Sequence, residues 1–209
     1  MRIALINDTH YGARKGSKLF HDYFELFYKN VFFPTLEQYG ITTVIHMGDA
    51  FDSRKSIDYQ SLEWAKRVVF DPLSKYEVHM IVGNHDSYYK NTNNTNSPQL
   101  LLKDYPNVKT YSTPTEIRVD NLDILLLPWI CMDNEEQSLK MIQKTKAKVA
   151  MGHLELQGFE MYKGSIMSHG DDPALFGRFD IVVSGHYHHR SSRGNINYIG
   201  SPAEFTWSD

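Results

Sequence analysis

The stretch Val78-His79-Met80-Ile81-Val82-Gly83-Asn84-His85-Asp86 decides how the rest of the chain is read. A short apolar run of this kind, cut off by a polar cluster, fits a strand covered on both faces that ends in a loop. The loop is rich in chemistry. Asn84 offers an amide oxygen, His85 an imidazole directed into the same pocket, and Asp86 a carboxylate able to orient His85 and raise its basicity. The competing reading is a plain polar turn.

Four more segments follow the same pattern. Ile3–Ile6 runs into Asn7-Asp8-Thr9-His10, and 43–47 into Gly48-Asp49-Ala50-Phe51-Asp52. Residues 148–151 end at Gly152-His153, and 180–184 at Gly185-His186-Tyr187-His188. Four of the five polar sets have glycine just before them, where backbone must turn sharply or approach an ion closely. In layered α/β folds the carboxyl ends of strands gather where ligands bind, so all five ends are expected on one rim of a sheet.

Between these strands the pattern turns helical. Residues 19–39 place Leu19, Phe20, Tyr23, Phe24, Phe27, Val31 and Phe32 near helical spacing, with Pro34 expected to kink or end the helix. A second helix is expected over 58–76, with a break at Asp71-Pro72. Residues 91–97 form a polar loop, 99–104 a short helix and 135–146 a longer one. A hairpin is expected from 116–119 and 122–127 around Asp120-Asn121, and 196–199 close the chain as a strand. The class is α/β.

Composition sets wide bounds. Length fits one domain over residues 1–209, and 41% apolar with 22% charged residues is ordinary for a soluble globular protein. No run approaches a membrane span, and the N-terminus turns polar too soon for a signal peptide. A single cysteine, Cys131, excludes an intrachain disulfide and suits a reducing interior such as the cytoplasm. A net charge of −3 is not the balance of a protein gripping nucleic acid by bulk charge. Metal cations can nonetheless make a local field positive.

Asp8 and His10 stand two residues apart, so extended backbone points both to one side, where they can chelate one ion. His186 and His188 repeat that spacing, while His189 breaks it and is placed outside the ligand set. Asp49 has two oxygens and can bridge two cations. Asp52 is read either as a support for a ligand or as a loop cap. Each motif alone has a bland alternative, a capping Asp or a surface His. Together Asp8, His10, Asp49, Asn84, His153, His186 and His188 supply seven donors without a thiolate. That is too many for one tetrahedral zinc and suits two ions sharing Asp49. Ions roughly 3.5–4 Å apart stabilise the attacking and leaving oxygens of in-line displacement at phosphorus. Manganese, iron and zinc all suit a mixed O/N set. His21, His46, His79 and His169 receive no role.

In this order the five strand ends resemble the signature motifs of the calcineurin-like metallophosphoesterases. Gly-Asp-Ala-Phe-Asp (48–52), Gly-Asn-His-Asp (83–86), Gly-His-Leu-Glu-Leu (152–156), Ser-His-Gly (168–170) and Ser-Gly-His-Tyr-His (184–188) carry the likeness. They are most similar to the SbcD/Mre-eleven nucleases, above all the nuclease subunit of tailed-phage recombination endonucleases. Leu127-Pro128-Trp129 and Tyr198-Ile199-Gly200-Ser201-Pro202 also look like that phage-type group.

The resemblance implies a four-layer αββα sandwich. It implies one ion on Asp8, His10, Asp49 and His188 and another on Asp49, Asn84, His153 and His186, with His85 aiding the leaving oxygen and Asp86 supporting it. It further implies manganese-dependent exonuclease and endonuclease cleavage of DNA, in repair, recombination or end processing. An SbcC-type coiled-coil ATPase partner is implied, and a homodimer for which the aromatic helix is a candidate face. The capping and ATPase-binding regions of relatives are not found within the 209 residues. Asn7 and Tyr11 around the first motif, and Asp52 where some relatives have His, depart from the usual pattern.

Two other readings compete. A phosphatase or cyclic-nucleotide phosphodiesterase would use the same ligands, but protein phosphatases usually carry Arg-Gly after the second motif and Glu after the third His, where this chain has Ser53-Arg54 and Asp86. A metal-free interaction module would be expected to have lost ligands, and all seven are present. For DNA, Arg14, Lys15, Arg54 and Lys55 lie beside the first two motifs and are candidate phosphate contacts. Tyr11 and Tyr187 are read as base-stacking or as packing residues.

Overall fold

A computed structural model describes residues 2–205. The single domain expected over 1–209 also takes in Met1 and residues 206–209, which lie outside the described residues. The first four strands, β1 (Ile3–Ile6), β2 (Thr43–His46), β3 (Glu77–Ile81) and β4 (Val108–Tyr111), form an all-parallel sheet in that order. β5 (Thr115–Val119), β6 (Leu122–Leu127), β7 (Val149–His153), β8 (Glu160–Tyr162), β9 (Ser165–Ile166), β10 (Ile181–Gly185), β11 (Ser191–Arg193) and β12 (Ile196–Tyr198) follow. Six of them make a second, mixed sheet ordered β11-β12-β10-β7-β6-β5, and β8 and β9 form a separate hairpin.

The period of two along each strand divides the core into three slabs. Ile45, Met47 and Ile81 meet Ile124, Leu126, Met151 and Val183 between the sheets. Val44, Val78 and Met80 point the other way, under Phe24, Tyr28, Leu36, Trp64 and Phe70 of the first helices. Leu125, Ala150 and Val182 face outward on the second sheet against Ile142, Phe176 and Phe179. Helices outside, sheets inside: the αββα sandwich expected from the resemblance is what the chain builds.

The two prolines sit inside continuous helices. Neither Pro34 nor Pro72 ends its helix. In each case the preceding turn is widened to π geometry, so that Phe33 N–H bonds Tyr28 O and Asp71 N–H bonds Lys66 O, five residues back. A wider turn before proline relieves the clash with the carbonyl four residues earlier, and the chain stays helical to Gln38 and to Leu73. The Asp120-Asn121 hairpin forms without glycine because Asp120 itself takes φ 51°. Strands β4, β8, β9 and β11 were not expected. They are short and half-exposed, and so lack the apolar runs that marked the others.

Candidate metal centre

The five motif-bearing strands do not share one sheet, as first expected. β1, β2 and β3 belong to the first sheet and β7 and β10 to the second. Within each sheet neighbouring ends are level, Ile6 with His46 and Gly185 with His153, and the two rows of ends meet across the sandwich. Backbone bonds then zip the first two loops together: Asp8 N–H to Gly48 O, His10 N–H to Asp49 O, Tyr11 N–H to Ala50 O and Asp52 N–H to Tyr11 O.

All seven expected donors converge; six fall into two close groups, and Asn84 lies beside the second. On one side Asp8, His10 and His188 present ligand atoms within 4.8 Å of one another; on the other, Asp49, His153 and His186 do the same. His10 Nε2 lies 3.2 Å from His188 Nε2 and 3.9 Å from Asp49 Oδ2. His153 Nε2 lies 3.3 Å from that same Oδ2 and 2.9 Å from Asn84 Oδ1. Asp49 therefore stands between the groups.

The chemistry of the donor set fits cations. His153 Nδ1 is 2.8 Å from the Met47 carbonyl, which can only accept, so Nδ1 carries a proton and Nε2 is the nitrogen turned inward, able to give a lone pair once its own proton leaves. There it faces the oxygens of Asp49 and Asn84, three acceptors around one point, which is stable only with a cation or a proton between them. Burial drives His10 and His186 down to about 3, against the pull of Asp49, so both are neutral with lone pairs available. Burial opposes charge on His153 as well, but Asp49 and Asp8 outweigh it and carry the imidazole up to about 9. Burial also works against the Asp49 carboxylate, yet His153, His10 and His85 hold it well below the usual carboxylate range. Asp8 is raised by burial and by Asp49.

The backbone is strained at the same place. Asp8, His10, Asp49 and His186 have φ of 48°, 44°, 53° and 84°, in the left-handed region that L-residues avoid. Gly48, at φ 93°, has no side chain where a Cβ would lie 2.5 Å from His153 Nδ1. Glycine before the ligand is thus a steric requirement as well as a turn signal.

His85 sits at the edge of the cluster. Its ring is edge-on to His10, with centroids 4.9 Å apart, and its backbone N–H donates to Asp49 Oδ1 at 2.7 Å. Asp86 does not orient it. His85 Nδ1 lies 2.7 Å from the main-chain oxygen of Asp52, whereas Asp86 accepts backbone N–H groups from Phe51 and Gly83 at 3.1 and 2.9 Å. Asp86 is a buried clasp between the second and third motif loops. Burial and nearby Asp49 push it up to about 7, against the pull of those two N–H groups.

Tyr11 and Tyr187 are fully packed, Tyr187 stacking on Tyr198 and donating to Leu156 O, so neither is available to a base. Arg14 turns its guanidinium onto the Phe205 carbonyl, while Lys15 is exposed. Arg54 reaches the Ser87 carbonyl and Lys55 lies over the Tyr88 ring, both lining a groove of about 220 Å³ with Ser53 and Asn96. His189 faces Glu160, outside the cluster. Trp129 belongs to the Leu127-Pro128-Trp129 motif, which carries no donor. Its ring packs on His186 and His153, with centroids 5.1 and 6.3 Å apart. Phe205 covers His10 and His188 in the same way. No periodicity marks either contact.

A two-sheet sandwich with this rim has known counterparts. Residues 1–190 match the calcineurin-like phosphoesterases, and the chain belongs to that family, whose members use divalent metals. It is 42% identical over 172 residues to exonuclease subunit 1 of Enterobacteria phage T4, covering 81% of this chain and 50% of that protein. Putative phosphoesterase 078R of Invertebrate iridescent virus 3 is 24% identical over 207 residues, covering 95% of this chain and 56% of that protein. The chain thus spans about half the length of the curated relatives it matches. In fold alone it is similar to purple acid phosphatase PPD1 from yellow lupin (Lupinus luteus) seeds, with TM-score 0.53 and 12% identity over 90% of this chain and 38% of that one.

Proposed function

We propose that the chain is the catalytic core of a two-metal DNA nuclease. The observation that carries this reading is the gathering of two carboxylates, four imidazoles and one amide oxygen into two groups around Asp49. The 42% likeness to a phage protein called an exonuclease subunit directs the choice of DNA over other phosphoesters. Asp8, His10, Asp49 and His188 hold one ion, and Asp49, Asn84, His153 and His186 the other. Two divalent ions, for which manganese is our choice, supply charge neutralisation at phosphorus and activation of water.

The chain's own residues do the rest. Asp49 ties the halves together and, through Oδ1, fixes the backbone of His85. With Nδ1–H committed to the Asp52 carbonyl, His85 offers Nε2 to the departing oxygen and serves as its proton donor. Asp86 contributes by pinning the loops. Arg54 and Lys55 neutralise phosphates on one flank and Lys15 on another.

The whole protein acts with an SbcC-type coiled-coil ATPase in DNA repair, recombination or end processing, in the cytoplasm of the host cell. Among the described residues no helix is long and apolar enough to cross a membrane. Leu19, Tyr23 and Leu26 form an exposed apolar stripe along one helix, which supports side-by-side dimerisation.

The test is digestion of end-labelled duplex DNA with manganese, with bis(p-nitrophenyl) phosphate alongside. DNA cleavage is expected, and His85→Ala should abolish it while two ions remain bound. Turnover of the small diester without any DNA cleavage would instead favour a phosphodiesterase, and lost ions in His85→Ala would remove His85 from the proton-donor role.

A further inference from the structure

Asp52 has a carboxylate that the function above does not use. Its place is fixed from behind, because its N–H bonds Tyr11 O in the zipped loops that also set His10. It does not start the next helix, which begins at the Asp58 cap. It faces His10 instead: Oδ1 lies 3.6 Å from His10 Nδ1. That nitrogen is buried and has no hydrogen-bond partner. A buried ring nitrogen left unpaired is costly, so a partner that is only slightly too far away matters. The opposite nitrogen, Nε2, is the one directed at His188 and Asp49.

An imidazole can give a lone pair from Nε2 only if its proton stays on Nδ1, and an acceptor at Nδ1 keeps it there. On the reading that this is a two-ion centre, we propose that Asp52 is a positioning residue acting through His10. Its carboxylate accepts the Nδ1 proton, closing the gap as the ligand ring is drawn onto its ion, and so selects the tautomer and the ring angle. The same residue holds His85 through its main-chain carbonyl. One short loop thereby orients an ion ligand by its side chain and the proton donor by its backbone. A side-chain substitution should separate the two roles, because the carbonyl survives it.

The experiment is a Mn2+ titration of the purified chain followed by electron paramagnetic resonance, for wild type, Asp52→Ala and Asp52→Asn, with urea midpoints measured in parallel. Wild type is expected to take up two ions; if it takes up none, the two-ion reading fails and this inference with it. Given two, Asp52→Ala should weaken one site about 10–100-fold and leave the other unchanged, at an unaltered urea midpoint. Asp52→Asn, whose amide oxygen still accepts from Nδ1–H, should restore most of the loss. Two unchanged sites in Asp52→Ala would overturn the proposal while sparing the two-ion reading. Both sites weakening together with a lower urea midpoint would also overturn it, showing a structural role.

Discussion

Adding one methyl group at Gly83 should disable the centre. A Cβ there would lie 2.2 Å from Asp49 Oδ1 and 2.4 Å from Asp49 N, well inside any tolerable contact. Apolar carbons settle about 3.5–4 Å apart and carbon–oxygen contacts only slightly closer, so something must move by about 1 Å. The neighbour is not the loose end of a flexible side chain. Asp49 Oδ1 is held by the His85 N–H at 2.7 Å, and the Gly83 N–H is held by Asp86 at 2.9 Å. Overpacking costs about 1–3 kcal/mol and a lost hydrogen bond to a charged group about 1.5–3, so Gly83→Ala should destabilise by about 3–5 kcal/mol. If the carboxylate swings away instead, stability recovers but the donor shared by both groups is displaced. Urea denaturation with and without Mn2+ distinguishes these outcomes, with Gly177→Ala as control, since its Cβ would meet only the Ala174 carbonyl at 3.4 Å. The argument fails if Gly83→Ala unfolds within about 0.5 kcal/mol of wild type and gains the same stability from Mn2+.

Two further outcomes are expected. His153 carries a proton up to about 9 that an ion must displace, so Mn2+ affinity should climb about tenfold per pH unit from 6.5 towards 9, seen by calorimetry in buffers of different ionisation heat. The metal-free protein should do the opposite. A histidine raised above its ordinary value of 6.5 stabilises fully below that pH and loses the contribution as pH rises through about 9, so urea midpoints in chelator should fall across that window. A flat response in both would refute the His153–Asp49 pairing. Tyr23, 58% exposed between Leu19 and Leu26, should be central to self-association, so Tyr23→Glu should give a monomer by sedimentation with unchanged Mn2+ uptake. A wild-type monomer at high concentration would remove the dimer.

Much of the site could be read from the chain because its donors follow directly on strand ends. A buried strand announces itself by composition, and the residue after it has a fixed place at the rim. That is why Asp8, Asp49, Asn84, His153 and His186 were legible. Tyr11 and Tyr187 were ambiguous because side-chain direction within a rim loop depends on the opposing sheet, and both proved to be core. Asp86 was misread for a related reason. Sequence adjacency to His85 suggested a pair, but adjacent side chains leave the backbone in different directions, and Asp86 turned inward to the backbone of Gly83 and Phe51. Trp129 and Phe205 reach the cluster from distant segments; only Trp129, in the Leu127-Pro128-Trp129 motif, carries a local signal, and that signal does not say what it touches.

By itself the sequence determined the types of the buried elements, the candidate donors and the class of chemistry, because apolar runs, glycine punctuation and ligand chemistry are local properties. Only the tertiary structure decided that the donors come from two sheets, that Asp49 stands between two groups, and that Asp52 faces His10. Those facts depend on distances between segments far apart in the chain, which are fixed only when β1 pairs with β2 and the two sheets pack face to face.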